Sequence, residues 1–179
     1  MNKFGKKISA LILTAAVSIS AVIPAFAANS PVSGNTDADT KVTAVTTSDK
    51  TCMVTDVSST GDVAVIPATV TSKGKTYAVD VIATNTIKDK YSKVYMVMNS
   101  TTKVEPKVAK TKSGKKTKKI VVKAAEGQKL KASQFDKKAF KGFKGKIIIR
   151  KSAMSKKEFN KLVKKLRKGG FKGKITRSK

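Results

Sequence analysis

The chain has 179 residues, with 39 Lys and Arg against 11 Asp and Glu, and a formal net charge of +28. It contains no His, which excludes His-based catalytic triads and dyads and most zinc sites. Paired carboxylates are scarce, so we expect a protein that is not an enzyme and holds no cofactor or metal. The one cysteine, Cys52, cannot form an internal disulfide. We interpret it as a small buried apolar residue, with an intermolecular disulfide as the alternative.

Residues 1–27 are typical of a cleavable secretory signal peptide. Lysines near the start precede an uncharged, largely apolar run over residues 8–23, and Ala25-Phe26-Ala27 supplies the small residues that signal peptidase needs. A retained transmembrane helix is the alternative, but such a helix needs about 20 apolar residues. We therefore expect cleavage before Ala28, no transmembrane anchor, and a protein that is secreted or associated with the cell wall.

The next part of the chain predicts a linker followed by a small β unit. Residues 28–40 are small and polar and predict a flexible linker. From residue 41 to residue 83, β-branched residues recur among threonines, and Ser72-Lys73-Gly74-Lys75 predicts a hairpin turn. We interpret residues 41–87 as an antiparallel N-terminal β cap with a first repeat, and residues 88–179 as a basic repeat region.

Short apolar runs recur at a regular spacing through this basic region. They begin at Val94, Ile120, Ile147 and Ile175, which are 26, 27 and 28 residues apart. A short strand recurring at this interval is typical of a leucine-rich-repeat solenoid. Each turn of such a solenoid buries its apolar face only by stacking on the next turn.

One amphipathic helix is predicted after residue 155. Ser155 and Glu158 fit a capping box, and Gly169-Gly170 ends the pattern. The apolar stripe consists of Phe159, Leu162, Val163 and Leu166. A free helix of this kind could lie on an anionic membrane, whereas a docked helix would cap the open end of a solenoid. The stripe is short, which favours docking against the last strand with Leu162 and Val163 buried.

Two segments carry motifs of a known family. The first contains Ile66-Pro67, a Gly74-Lys75 hairpin and Tyr77-x-Val79, and the second contains Ala139-Phe140-Lys141-Gly142 before the strand at Ile147. Over residues 60–87 and 118–179 the chain resembles secreted bacterial leucine-rich-repeat proteins of the BspA-like type. The resemblance implies a secreted or surface adhesion-type protein with no catalytic residues.

The chain also departs from that family. Thr86-Ile87 stands where an Ala-Phe step is expected, and residues 103–119 carry fewer apolar residues than a full repeat. We interpret it as a minimal or degenerate member. The predicted fold class is α+β, mostly β: a short leucine-rich-repeat-like solenoid with an N-terminal antiparallel β cap and a C-terminal amphipathic helix cap.

The charge of the chain is divided sharply between its two halves. Residues 28–102 hold seven Lys and seven Asp, whereas residues 103–179 hold 29 basic and four acidic residues, a net charge of +25. Such asymmetry favours an anionic partner for the basic half. Outside a cell, an anionic cell-wall polymer, an acidic glycan or another polyanion fits, and another protein is a further candidate partner.

Strand alternation places a set of basic residues on the outer face of the predicted strands. These candidate polyanion-binding residues are Lys119, Lys123, Lys146, Arg150 and Lys174. The alternative is that they only protect the strands from aggregation. The predicted function is a non-enzymatic binding or adhesion-type protein whose basic half binds polyanions. The alternative function is a cationic extracellular protein that binds anionic membranes, or nucleic acid without sequence preference.

Overall fold

The structure is a computed structural model that describes residues 25–29, 40–72, 74–88, 91–109 and 117–179. These residues form an α+β protein that is mostly β, as predicted. Residues 1–24 of the predicted signal peptide and residues 30–39 of the predicted linker lie outside the described residues. The predicted cleavage point, between Ala27 and Ala28, falls inside a strand.

The described residues contain eleven β-strands, one α-helix and one short 3-10 helix. The strands are β1 (Ala25–Asn29), β2 (Thr40–Thr46), β3 (Thr51–Ser59), β4 (Val63–Ile66), β5 (Thr69–Ser72), β6 (Lys75–Ile82), β7 (Lys93–Met98), β8 (Lys103–Val104), β9 (Lys119–Ala124), β10 (Lys146–Arg150) and β11 (Ile175–Ser178). The 3-10 helix spans Ala132–Gln134, and helix α1 spans Lys156–Lys168.

The first sheet has the strand order β1-β2-β3-β6-β5, with β8 also pairing with β6. Strands β2 and β3 pair antiparallel, and so do β5 and β6, around the predicted hairpin turn. However, β3 and β6 pair in parallel, and β4 belongs to the other sheet. The prediction of a single antiparallel unit over residues 41–83 is therefore wrong in these two respects.

The second sheet is parallel throughout and has the order β11-β10-β9-β7-β4. Its strands lie side by side in the order in which they occur along the chain. Val94 pairs with Ile120, Ile120 with Ile147, and Ile147 with Ile175. The strands predicted from the regular apolar spacing are thus confirmed, and the four residues that begin the apolar runs form one row across the sheet.

The hydrophobic core lies behind one face of this sheet. Alternate residues of β4, β7, β9 and β10 point inward and are fully buried, because successive side chains of a strand lie on opposite faces. In β11, Ile175 is only partly buried. The inward residues in the core are Ala64, Ile66, Val94, Met96, Met98, Ile120, Val122, Ile147 and Ile149. Phe135 and Phe140 fill the space behind them, with ring centroids 6.3 Å apart.

A second parallel ladder runs on the opposite side of the core. Ile82 pairs with Val104, and Val104 pairs in turn with Phe135. Ile87, which stands where the family has Phe, is 1% exposed and packs in the core. The hydroxyl of Thr86 donates to the carbonyl oxygens of Val54 and Ala83 at 3.0 and 2.7 Å. This departure from the family motif is therefore compatible with a satisfied, closed core.

A five-residue sequence repeat occurs at the start of each of the last two strands, β10 and β11. Phe-Lys-Gly-Lys-Ile occurs at residues 143–147 and again at residues 171–175. The rings of Phe143 and Phe171 stack, with centroids 6.5 Å apart and an interplanar angle of 9°. A Cβ atom added at Gly173 would lie 2.4 Å from the carbonyl oxygen of Gly145, so both glycines allow adjacent turns to approach closely. The two copies lie side by side, since Ile147 at the end of the first pairs with Ile175 at the end of the second.

A buried polar network joins the end of β7 to the 3-10 helix. The amide nitrogen of Gln134 donates to the carbonyl oxygens of Asn99 and Thr102, both at 2.8 Å. Its side-chain oxygen accepts from the Lys131 N–H at 2.7 Å. Asn99 in turn donates to the carbonyl oxygen of Ala68 at 2.7 Å. Because Gln134 is 3% exposed, its bonds to Asn99 and Thr102 satisfy buried backbone carbonyl groups.

Helix α1 docks through its apolar stripe. Leu162 and Leu166 are fully buried, whereas Val163 is only half-buried, so the predicted burial is confirmed for Leu162 alone. The Ser155 hydroxyl accepts from the Glu158 N–H at 3.2 Å, as predicted. The Glu158 carboxylate does not complete the capping box. It accepts from the Ala132 N–H at 2.8 Å and thereby ties the helix to the 3-10 helix.

Cys52 is a free thiol that is 1% exposed, which confirms the prediction that it is buried. Burial, together with the nearby Asp80 carboxylate, raises the pKa of the Cys52 thiol to about 11. The thiolate is the reactive form of cysteine, so this thiol is inert at neutral pH. A role in packing is therefore favoured over an intermolecular disulfide.

Candidate polyanion-binding face

The outward side of the β4–β7–β9–β10–β11 sheet, which we call the basic face, collects all five predicted site residues. The inward positions of these strands fill the core, so the intervening positions point away from it. Lys119, Lys123, Lys146 and Arg150 are half-buried, and Lys174 is exposed. Strand pairing arranges their side chains in two rows that run across the strands.

The first row lies at the amino ends of the strands. Lys119 pairs directly with Lys146 on one side and with Lys93 on the other. Lys174 extends the row by one strand, because its carbonyl oxygen accepts from the Ile147 N–H at 2.8 Å. Neighbouring strands lie about 4.8 Å apart, so the four lysines span about 14 Å across the sheet.

The second row lies at the carboxyl ends. Lys123 pairs with Val97, and Arg150 pairs with Ser178. Lys123 and Arg150 each follow one of the paired residues Val122 and Ile149, so they lie on adjacent strands. The Arg150 guanidinium donates to the Lys179 carbonyl oxygen, which holds it at the edge of the sheet.

Between the two basic rows runs a row of mainly apolar residues. Its members are Val65, Tyr95, Val121, Ile148 and Thr176. Val121 points away from the core, yet it is only 4% exposed. Neither Val65 nor Val121 belongs to the core cluster, although both are buried. Lysine stems can shield apolar surface of this kind while their ammonium groups stay in water.

Tyr95 lies in this middle row and joins the two basic rows. The Lys123 ammonium lies 4.6 Å from the centroid of the Tyr95 ring, and the Lys93 ammonium lies 5.4 Å from it. The Lys93 Nζ is also 3.5 Å from the Tyr95 hydroxyl. Ammonium groups at these distances are attracted to the electron-rich faces of aromatic rings. One ring therefore positions one cation from each row.

The basic face carries no compensating negative charge on its strands. None of the five strands contains Asp or Glu. Among the described residues, the ion pairs are Lys88–Asp56 at 3.0 Å and Lys161–Glu158 at 2.8 Å, and neither involves the basic face. Like unit charges about 4 Å apart repel by about 1 kcal/mol in water. An anion bound across the rows would relieve this repulsion.

Sequence reasoning missed Lys93 and Tyr95. Lys93 belongs to the charge-neutral half of the chain, so the division of charge pointed away from it. The sequence does contain a signal that Lys93 belongs to the first row. Lys93 immediately precedes the apolar run at Val94, just as Lys119, Lys146 and Lys174 precede theirs. Tyr95, two positions after Lys93, is the next outward residue of the strand. It is uncharged, so a prediction based on basic residues does not include it.

Helix α1 presents a separate set of lysines. Its exposed cations include Lys156, Lys157, Lys164 and Lys168. Hydrogen bonds from the Lys161 ammonium and the Ala132 N–H lower the pKa of the Glu158 carboxyl below its usual value. The carboxylate is therefore charged at neutral pH and neutralises one lysine of the helix, unlike the unpaired rows of the basic face.

A cavity of about 280 Å³ opens beyond the carboxyl end of β9. Its walls are Ala124, Ala125, Glu126, Gly127, Gln128, Lys129 and Ser152. Within the described part of the chain, no three His, Cys, Asp or Glu side chains are grouped to hold a metal ion. Across the same residues, no helix combines the length and the apolar composition needed to cross a membrane.

The chain matches no family model, no curated protein and no solved structure.

Proposed function

We propose that this chain is a secreted or cell-surface-associated, non-enzymatic binding protein of the adhesion type, whose basic C-terminal half binds polyanions. The observation that carries the proposal is the basic face: two rows of cations on one sheet face, with no acidic residue on its strands. Clustered, unpaired lysines on one face form the electrostatic footprint of a polyanion-binding protein. Lysines that flank hydrophobic strands also reduce aggregation, and the substitutions described below separate that role from polyanion binding.

We further propose that the fold is a short leucine-rich-repeat-like solenoid of the BspA-like type. Parallel strands in chain order, a second parallel ladder and the stacked Phe-Lys-Gly-Lys-Ile repeat all support it. Strands β2 and β3 would cap one end. At the other end, Arg177 of β11 pairs with Ile149 of β10 and donates to the carbonyl oxygen of Met154 at 2.9 Å. A polar side chain thus takes the last inward position at this end of the sheet.

The alternative functions find less support. Phe135, Phe140, Phe143 and Phe171 are all buried, so they offer no aromatic surface on which nucleic-acid bases could stack. The apolar stripe of helix α1 is turned into the core at Leu162 and Leu166, so this helix is not free to lie on a membrane.

Export predicts that the mature protein begins at Ala28. Cleavage there would remove Ala25, Phe26 and Ala27, which pair with Val45, Ala44 and Thr43 of β2. Mass spectrometry of the protein from culture supernatant should give the mass of residues 28–179. A secreted protein that retains residues 1–27 would contradict the prediction.

The proposed function predicts binding that depends steeply on salt, because polyanion binding releases counterions. The intact mature protein should bind an immobilised polyanion such as heparin at low salt. It should elute below 1 M NaCl, where the Debye length has fallen from about 8 Å to about 3 Å. Absence of binding at low salt, or retention at 1 M NaCl, would contradict the proposal.

Substitution tests the basic face better than truncation does. A chain ending at Lys112 would lose β9, β10 and β11 and much of the core, so its failure to bind would be uninformative. A variant with Gln at Lys119, Lys123, Lys146, Arg150 and Lys174 should elute at lower salt than the unmodified protein. A matched variant with Gln at the exposed Lys138, Lys141, Lys156, Lys157 and Lys164 should elute at higher salt than the basic-face variant.

A further inference from the structure

Tyr95 is the one aromatic residue on the five strands of the second sheet. It is half-buried, and its ring holds the ammonium groups of Lys93 and Lys123 at 5.4 and 4.6 Å. Each such contact attracts the ammonium group to the face of the ring. The ring thereby holds two flexible, mutually repelling cations in place. This lowers the entropic cost of ordering the two side chains when an anion binds.

The fixed pair continues into the first row. Lys93 pairs with Lys119, and Lys119 with Lys146, so an anionic chain that starts at Tyr95 meets further lysines at each strand. The row runs across the strands rather than along them. A linear polymer would therefore lie perpendicular to the strands, over a path of about 14 Å from Lys93 to Lys174.

The composition of the rows indicates the kind of anion. Every member of the first row is Lys, and Arg150 is the one arginine among the site residues. The arginine guanidinium binds carboxylates and phosphates alike in a two-pronged geometry, whereas lysine binds phosphate as a compact point charge. A row with one lysine per strand therefore suits a chain of separate phosphate groups.

The surroundings of Tyr95 also indicate that the polymer carries no nucleic-acid bases. Proteins that bind single-stranded nucleic acid present aromatic rings on which successive bases stack. Here the single ring of the face already carries two ammonium groups. Of the other residues in the middle row, Val65 and Val121 are buried, and Ile148 and Thr176 offer no further ring on which a base could stack.

We propose that the basic face is a binding site for a linear, base-free phosphodiester polymer of the polyol-phosphate type, lying across the strands with its phosphates on the Lys93–Lys119–Lys146–Lys174 row. Tyr95 is a positioning residue that holds Lys93 and Lys123 for this polymer. The inference rests on the proposed polyanion-binding function and names its ligand class and its site.

The test measures binding of the mature protein to poly(glycerol phosphate) and to oligothymidylate with the same number of phosphates, over a series of salt concentrations. We expect tighter binding of poly(glycerol phosphate) at every salt concentration. Replacing Lys93, Lys119 and Lys146 by Gln should reduce the slope of log affinity against log salt by about 2, since each lost contact with a single strand contributes about 0.7. Replacing the exposed Lys157, Lys164 and Lys168 of helix α1 by Gln should reduce it by less than half as much.

Two substitutions at Tyr95 test its positioning role. Tyr95→Leu removes the ring and should weaken binding several-fold, whereas Tyr95→Phe keeps the ring and should retain most of the affinity. Circular dichroism and the melting temperature of each variant establish that it is folded. Equal losses for Tyr95→Leu and Tyr95→Phe would overturn the role of the ring.

The outcomes separate the site from the general function. If the two triple-lysine variants lose the same affinity, the site on the sheet is wrong although polyanion binding stands. If oligothymidylate binds more tightly, the ligand is nucleic acid and the base-free polymer is overturned. If the unmodified protein binds neither polymer nor heparin at low salt, the proposed function itself fails.

Discussion

Leu162→Asp is expected to unfold the protein or to lower its free energy of unfolding by more than about 4 kcal/mol. Leu162 is fully buried in the core. Removal of a buried leucine side chain alone costs about 2–5 kcal/mol. The substitution also places a carboxylate in an apolar site without a partner, which adds a further desolvation cost. Because native domains are stable by only about 5–15 kcal/mol, this is a large fraction of the total.

The matched control is Asn160→Asp, on the exposed side of the same helix. It introduces the same carboxylate with almost no change in size, and it should shift the melting temperature little. Thermal unfolding followed by circular dichroism makes the comparison. An unchanged melting temperature for Leu162→Asp would mean that helix α1 is not docked, and would restore the free membrane-binding helix as a hypothesis.

Gln134→Ala is expected to cost about 3 kcal/mol or more. The side chain accepts from the Lys131 N–H and donates to the carbonyl oxygens of Asn99 and Thr102. Truncation leaves these backbone groups without their partners, and each buried group left unsatisfied costs about 1–3 kcal/mol. Chemical denaturation of the variant should show a lower midpoint with the slope unchanged.

Gln128→Ala provides the comparison for this network. The Gln128 side chain accepts from the Ser100 N–H, but water can replace that contact because Ser100 is exposed. We expect a cost of about 1 kcal/mol or less. Equal effects for Gln128→Ala and Gln134→Ala would show that burial of the network does not govern its contribution.

The repeating strands could be predicted from the sequence because their physical signal is local. Each apolar run is short, β-branched and preceded by a lysine, and the runs beginning at Val94, Ile120 and Ile147 recur at nearly constant spacing. The docked face of helix α1 was likewise encoded in its periodicity, at Leu162 and Leu166. Alternation along the strands then placed the five predicted cations on one face.

The features that escaped prediction depend on contacts between distant residues. The run Val63–Ile66 is equally suited to an antiparallel or a parallel neighbour, and its pairing with β7 is decided by the shared core. Glu158 fits a capping box, yet its carboxylate binds the Ala132 N–H, which lies 26 residues away. Tyr95 and Lys93 join the site only because strand register brings Lys119 and Lys123 beside them.

The central claim is that the basic face, rather than the charge of the chain as a whole, holds the polyanion. Its most direct test is chemical-shift mapping of the ¹⁵N-labelled mature protein titrated with poly(glycerol phosphate) at low salt. The account predicts that the largest amide shifts fall on β7, β9, β10 and β11, at Lys93, Lys119, Lys146 and their neighbours, with small shifts along helix α1. Shifts that are largest at the exposed lysines of α1, or that are spread evenly over all lysines, would contradict it.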